Sequence, residues 1–216
     1  MGAIARNIAN KITTSGVFTS GAIANSSVTG ITVLANASDG ITLISSQTAS
    51  ASASISFTTG IDSTYKAYKF VFVNIHPSSA STFQFNLSTD SGSNYNVTKT
   101  TTAIRAFHTE SGSASGLAYE TGIDLAQSTS FQDLATDASG TNNDSGISGT
   151  LHIFNPASTT YVKHFMSNSN SVKSDNEGKN IYITGYGNTT SAINAVQFKF
   201  ASGNIDDGKI YLYGIK

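Results

Sequence analysis

The sequence predicts an all-β protein: an antiparallel β-sandwich of jelly-roll type behind an extended N-terminal arm containing a short helix. Three observations lead there. The stretch Tyr65 to His76 (YKAYKFVFVNIH) is apolar, aromatic or β-branched on both alternating faces, which is the pattern of a central strand covered on both sides. About ten strand-like segments follow one another at short spacing, separated by Gly/Ser/Asn turns. After residue 12 no segment carries an apolar stripe of helical period.

The chain opens with Ile4, Ile8 and Ile12 at i, i+4, i+8, a narrow apolar stripe that predicts a short helix over about residues 3–12. A helix this short needs a partner surface, so these three isoleucines are read as the anchors of a docking arm. Gly/Ala/Ser/Thr-rich sequence follows. Within it Ser27–Leu34 (SVTGITVL) is echoed ten residues on by Ala37–Ile44 (ASDGITLI), which predicts two short strands with glycine turns. Residues 1–46 are therefore expected to form the arm and residues 47–216 the sandwich.

The first strand of the sandwich is expected in Ser50–Thr58. The central strand and Thr82–Thr89 (TFQFNLST) are joined by Pro77–Ser81 and read as a hairpin. Thr101–Thr109 is the next strand, and weaker ones lie around Tyr119, Ile123 and Phe131. The polar loop Asp137–Gly149 follows. Gly149–Asn155 and Thr160–Ser167 make a second hairpin across Pro156–Thr159, in which His152 and His164 could be neighbours. Asn180–Tyr186, Ile193–Ala201 and Lys209–Ile215 end the chain.

Composition narrows the function. With 216 residues, 12 Phe and 9 Tyr, the chain can bury a core without tryptophan. Charged residues make up only 12 %, and Ser, Thr and Asn take their place. Such a surface suits packed assemblies in which like charges would repel. The net charge of −1 and the scattered Lys and Arg residues give no footprint for nucleic acid or an anionic membrane. There is no cysteine, so disulfides and thiolate metal sites are excluded. No secretory h-region and no apolar run of about 20 residues is present, which predicts synthesis in a cytoplasm and no membrane association.

Chemistry-bearing patterns are sparse. The histidines His76, His108, His152 and His164 fall on different strands without a diagnostic third ligand. Glu110, Glu120, Asp124, Asp133, Asp137 and Asp144 are the candidates for a glycosidase carboxylate pair, but they cluster in loops and read as solvated acids. Asp137 with Asn142, Asn143 and Asp144, or Asn204 with Asp206 and Asp207, could supply oxygen ligands to Ca²⁺, though neither set has EF-hand spacing. No nucleophile elbow and no phosphate-binding glycine loop occurs. The expectation is a non-enzymatic protein with no cofactor and no metal, whose possible ligand loop holds Asp137, Asn142, Asn143 and Asp144.

The block FVFVNIHPSSASTFQFNLSTDSGSNYNVTKTTTAIRAFH (Phe70–His108) resembles a module of virion proteins from tailed phages of marine bacteria, cyanophages especially. So do DLAQSTSFQ (Asp124–Gln132), LHIFNPASTTYVKHFMS (Leu151–Ser167) and NTTSAINAVQFKFASGNIDDGKIYLYGI (Asn188–Ile215). The resemblance spans roughly residues 44–216 and brings no catalytic residues. It implies a structural role on the particle, as a head decoration or appendage protein or as a tail-fibre component; a receptor-binding tip that recognises host glycan through its loops is the alternative expectation. The partners it implies are other virion proteins and copies of itself, with a trimer as the first expectation, and the location is the virion, after assembly in a bacterial cytoplasm.

Overall fold

The computed structural model describes residues 40–138, 145–173 and 176–216. The docking-arm residues Ile4, Ile8 and Ile12, the expected short helix and the first of the two echoed strands all lie outside the described residues.

Every regular element described is a strand. In chain order they are β1 (Ile41–Thr48), β2 (Ile55–Phe57), β3 (Ala67–Pro77), β4 (Ser81–Ser88), β5 (Lys99–Thr109) and β6 (Ser115–Tyr119). The second half contributes β7 (Gln132–Ala138), β8 (Ile147–Phe154), β9 (Lys163–Val172), β10 (Glu177–Gly187), β11 (Ala195–Phe200) and β12 (Ile205–Ile215). They form two antiparallel sheets, one of eight strands in the order β1-β12-β3-β8-β9-β10-β5-β6 and one of four in the order β2-β11-β4-β7.

The two sheets meet across an aromatic layer. Phe70 and Phe72 of β3 and Phe165 of β9 point in from the large sheet. Phe57, Phe83, Phe85, Phe198 and Phe200 point in from the small one. Edge-to-face contacts join the layers, with Phe70–Phe198 at 5.2 Å, Phe85–Phe165 at 5.2 Å and Phe72–Phe83 at 5.5 Å between ring centres. These rings prefer such offset geometries because the positive edge of one meets the negative face of the next.

Three sequence expectations are corrected here. β3 is not covered on both sides: Tyr68, Phe70 and Phe72 are buried, while Lys69 and Val71 are half-buried and Val73 is exposed. The four-stranded sheet covers one face only. Second, β3 and β4 are not a hairpin. Pro77–Ser81 carries the chain from the large sheet to the small one, so that Phe72 and Phe83 meet across the interface instead of side by side. β11 and β12 are split between the sheets in the same way. Third, the compact unit begins at Gly40, not near residue 47, because the second echoed strand is β1 and pairs with β12 from Ile41↔Ile215 to Thr48↔Lys209. The hairpin over residues 149–167 is present as β8–β9, but its register sets His152 opposite Met166, and His164 pairs with Tyr186 of β10.

A bulge resets β3 near its end. Asn74 takes a left-handed φ of 50°, pairing slips between Phe72 and Ile75, and Ile75 again points inward. Opposite it Gly208 has φ 113°, and a Cβ there would lie 2.5 Å from the Asn74 carbonyl oxygen and 2.8 Å from the Ile75 Cα. Backbone atoms cannot yield as a side chain can. Gly208→Ala is therefore expected to cost about 2 kcal/mol, read as a Tm lower by roughly 5 °C in a thermal melt; an unchanged Tm would show that the bulge relaxes freely.

The large sheet extends past the small one. Where β9 faces β7 of the small sheet it turns Ser167, Ser169 and Ser171 inward, all buried. Ser167 Oγ donates to the Thr150 carbonyl at 2.9 Å, and Ser169 Oγ donates to the Leu134 carbonyl on β7. Small hydroxyl side chains let β7 approach closely while their own polar groups stay satisfied.

Candidate functional site

Three regions gather chemistry-bearing side chains. One cleft, about 1020 Å³, opens beside the β3 bulge and is lined by Asn74, His76, Gly146, Ser148, Asn170, Asp206 and Asp207 among others. The bulge builds it, because the Asn74 N–H turns to donate to Ser148 Oγ at 3.1 Å and the reversed backbone sets His76 at the rim. Asp207 Oδ1 accepts from the Gly208 N–H at 2.7 Å, so one of its two oxygens serves the turn. Asp206 and Asp207, two of the oxygen donors considered from the sequence, do share this cleft, together with His76. Among the described residues no group of three His, Cys, Asp or Glu side chains has the geometry to hold a metal ion.

The predicted ligand loop borders the same cleft through Gly146 and Ser148. Of its four named residues, Asp137 lies within β7. Asn142, Asn143 and Asp144 lie outside the described residues, as does the oxygen-ligand set they would form.

A second, smaller cleft of about 430 Å³ collects Arg105, Glu120, Asp133, Lys173, Glu177 and Lys179 from β5, β7, β10 and neighbouring loops. Arg105 Nε donates to Glu120 at 2.6 Å and its other arm lies 3.7 Å from Glu177, with Lys179 Nζ 3.6 Å from the same carboxylate. Burial pushes the Asp133 carboxyl up, against a hydrogen bond from Gln84 Nε2 at 2.6 Å that lowers it. Two of the acids considered as a glycosidase pair, Glu120 and Asp133, thus share a cleft. Three cations share it with three acids, and Arg105 bridges two of the carboxylates. The arrangement is an ion-pair network. Sequence reading missed the grouping because its members come from strands far apart in the chain. Glu110 and Asp124 stand elsewhere; Asp124 accepts from the Tyr119 hydroxyl at 2.7 Å.

The third region is the outward face of the eight-stranded sheet. One ladder row crosses it from edge to edge: Ser46, Tyr211, Val71, Thr150, Asn168, Tyr182, Ile104 and Tyr119 are successive cross-strand partners. None of these side chains is buried. The neighbouring inward row, Leu212, Phe70, Leu151, Ser167, Ile183 and Ala103, is buried throughout. His152 and His164 both lie on the outward face. Burial lowers the His152 imidazole from its ordinary range, and its cross-strand neighbour Lys69 lowers it further.

Comparison with known protein families, with curated proteins and with solved structures finds no match to this chain. Among the described residues no helix is long and apolar enough to cross a membrane.

Proposed function

We propose that this chain is a non-enzymatic structural protein of a virion, displayed on the particle surface as a head decoration or appendage protein and docked by its N-terminal arm. The strand order carries the reading. The run β1-β12-β3-β8 in one sheet and β2-β11-β4-β7 in the other pair first strand with last and second with next-to-last, the interleaving a jelly roll would require, which supports that reading. β5–β6 and β9–β10 are then paired insertions that widen one sheet. Jelly rolls of this kind recur in viral capsid and lectin domains, an analogy of fold and not of site. The phage-virion resemblance over residues 44–216 points the same way, and a surface with 12 % charged residues suits a crowded shell.

The compact unit begins at Gly40, directly before the edge strand β1. Deleting residues 1–20 is expected to leave a cooperatively folding domain that no longer joins particles, while the full chain is labelled by antibody on intact virions. Normal incorporation of the truncated protein would refute the docking role. Particles free of the full-length protein would refute the virion assignment.

A second reading, a tail-fibre component that recognises host glycan, is favoured by the 1020 Å³ cleft with its Asn74, Asn170, Asp206 and Asp207 side chains. Amide and carboxylate groups are the usual partners of sugar hydroxyls, and the cleft is flanked by loops. Binding of the purified protein to a glycan array would favour this second role over decoration.

A further inference from the structure

We propose that the folded chain closes a covalent bond of its own: the Lys99 amine displaces ammonia from the Asn86 carboxamide and leaves an isopeptide link between β5 of the large sheet and β4 of the small one. Both side chains are fully buried, and Lys99 Nζ stands 2.5 Å from Asn86 Oδ1. A carbonyl bond is about 1.2 Å long, so the amine lies within about 3.7 Å of the Asn86 Cγ. Reacting atoms held roughly 3–3.5 Å apart are poised for attack.

The surroundings fit the reaction at each atom. Burial lowers the Lys99 ammonium to about 7 and no charged neighbour shifts it, so much of the amine is neutral and nucleophilic at neutral pH. Its two N–H groups face Asn86 Oδ1 and the Val97 carbonyl. A third of a turn about the Cε–Nζ bond brings the lone pair to the Asn86 side without moving a heavy atom. The Asn86 carboxamide is held on both sides. Its Oδ1 accepts the Leu87 N–H at 2.8 Å, a donor that steadies the oxygen as it gains negative charge. Its Nδ2 donates to the carbonyls of Tyr95 at 2.6 Å and Thr129 at 3.0 Å, which hold the nitrogen that leaves.

The exchange balances without a further reagent. The Nζ–Cγ bond forms, the Cγ–Nδ2 bond breaks, and one proton passes from Nζ to Nδ2, which departs as ammonia. Nothing is oxidised or reduced. Nζ keeps one hydrogen for the Val97 carbonyl, and Oδ1 keeps the Leu87 N–H. The link replaces a buried amine by an amide, which has no charged form to desolvate. Among the described residues no carboxylate pairs with Lys99 to relay the proton, so the step is slow and follows folding. Until it closes, Lys99 remains a titrating amine. The bond depends on the fold alone, whatever the protein's place in a particle.

The test is the intact mass of the full-length chain, freshly purified and then held at pH 9, together with its tryptic peptides. A species lighter by one ammonia is expected to accumulate with time. Trypsin then fails to cut after Lys99, and residues 70–105 come away as one peptide, where the unlinked chain gives 70–99 and 100–105. The same incubation in urea is expected to leave the mass unchanged, because only the fold holds the two groups together. Lys99→Met is expected to keep its full mass. Wild-type protein that keeps its full mass would overturn the inference. So would a lighter species that trypsin still cuts after Lys99, which marks a cyclic imide closed by an asparagine on its own backbone. The same loss in urea or in Lys99→Met would overturn it as well. The wild-type measurements decide even where the variant fails to fold.

Discussion

Phe198→Ala is expected to lower Tm by roughly 12 °C, the largest effect of any single core truncation here. Phe198 lies at the middle of the small sheet, fully buried. Its ring is 5.2 Å from Phe70, 5.9 Å from Phe83, 6.3 Å from Phe57 and 6.5 Å from both Phe72 and Phe85. Removing it opens a void between the layers that five rigid neighbouring rings cannot fill by small movements. Phe→Ala changes in such positions cost about 3–5 kcal/mol, the lost burial plus the cavity left behind. Phe198→Leu, which fills most of the volume, should recover more than half of that loss. Denaturant titration of both variants checks the ordering. A Phe198→Ala loss no greater than that of Phe200→Ala at the layer's margin would mean that the layer collapses freely, and that the packing has no single centre.

The second large effect is a stability that rises with pH. Lys99 and Lys163 are both fully buried, and both pair in register with Gly187, one from β5 and one from β9. Lys99 Nζ donates to Asn86 Oδ1 at 2.5 Å and to the Val97 carbonyl at 2.9 Å, and no carboxylate among the described residues pairs with it. Burial lowers its ammonium to about 7, from 10.5 in a free chain. The neutral amine still has two N–H donors for its two acceptors, so losing the proton breaks neither hydrogen bond. Burial lowers Lys163 as well, where the acceptors are the carbonyls of Tyr161, Thr189 and Thr190.

Between pH 7 and 10.5 the unfolded chain binds the proton that folded Lys99 has released, so unfolding takes up protons and stability increases with pH. Below pH 7 both states are protonated and the full penalty of the buried charge remains. Across that window the single group contributes up to about 5 kcal/mol. Tyr68, whose phenol burial pushes up, limits the rise at its alkaline end, since it resists ionising in the fold. Urea unfolding at pH 7 and at pH 9.5 should therefore show the higher midpoint at pH 9.5. Lys99→Met removes the titrating group and leaves the Leu87 N–H to satisfy Asn86 Oδ1. This variant is expected to be more stable than wild type at pH 7, with a much shallower dependence on pH. Equal slopes in the two proteins would show that Lys99 keeps its charge in the fold.

The strands themselves follow from local sequence. Alternation in TFQFNLST sets Phe83, Phe85 and Leu87 on one side of β4, and the structure buries that side against the large sheet. The terminal strand ending at Ile215 was equally legible, because β-branched and aromatic runs act over a few residues. Three things were not legible. Which strands share a sheet depends on contacts between distant segments. The link of Pro77–Ser81 reads as a hairpin, yet the chain crosses layers there and Phe72 meets Phe83 across the interface. The second is the exposure of one face of β3, since an apolar residue has the same letter whether a sheet covers it or not. The third is the ionic cleft of Arg105, Glu120, Asp133, Glu177 and Lys179, and with it the burial of Lys99. Charged residues carry no short-range period, so only the closure of the sandwich brings them together. Sequence alone determined a strand-built, cysteine-free chain poor in charge; the tertiary structure decided which faces water leaves, because burial is a property of pairs of surfaces and not of segments.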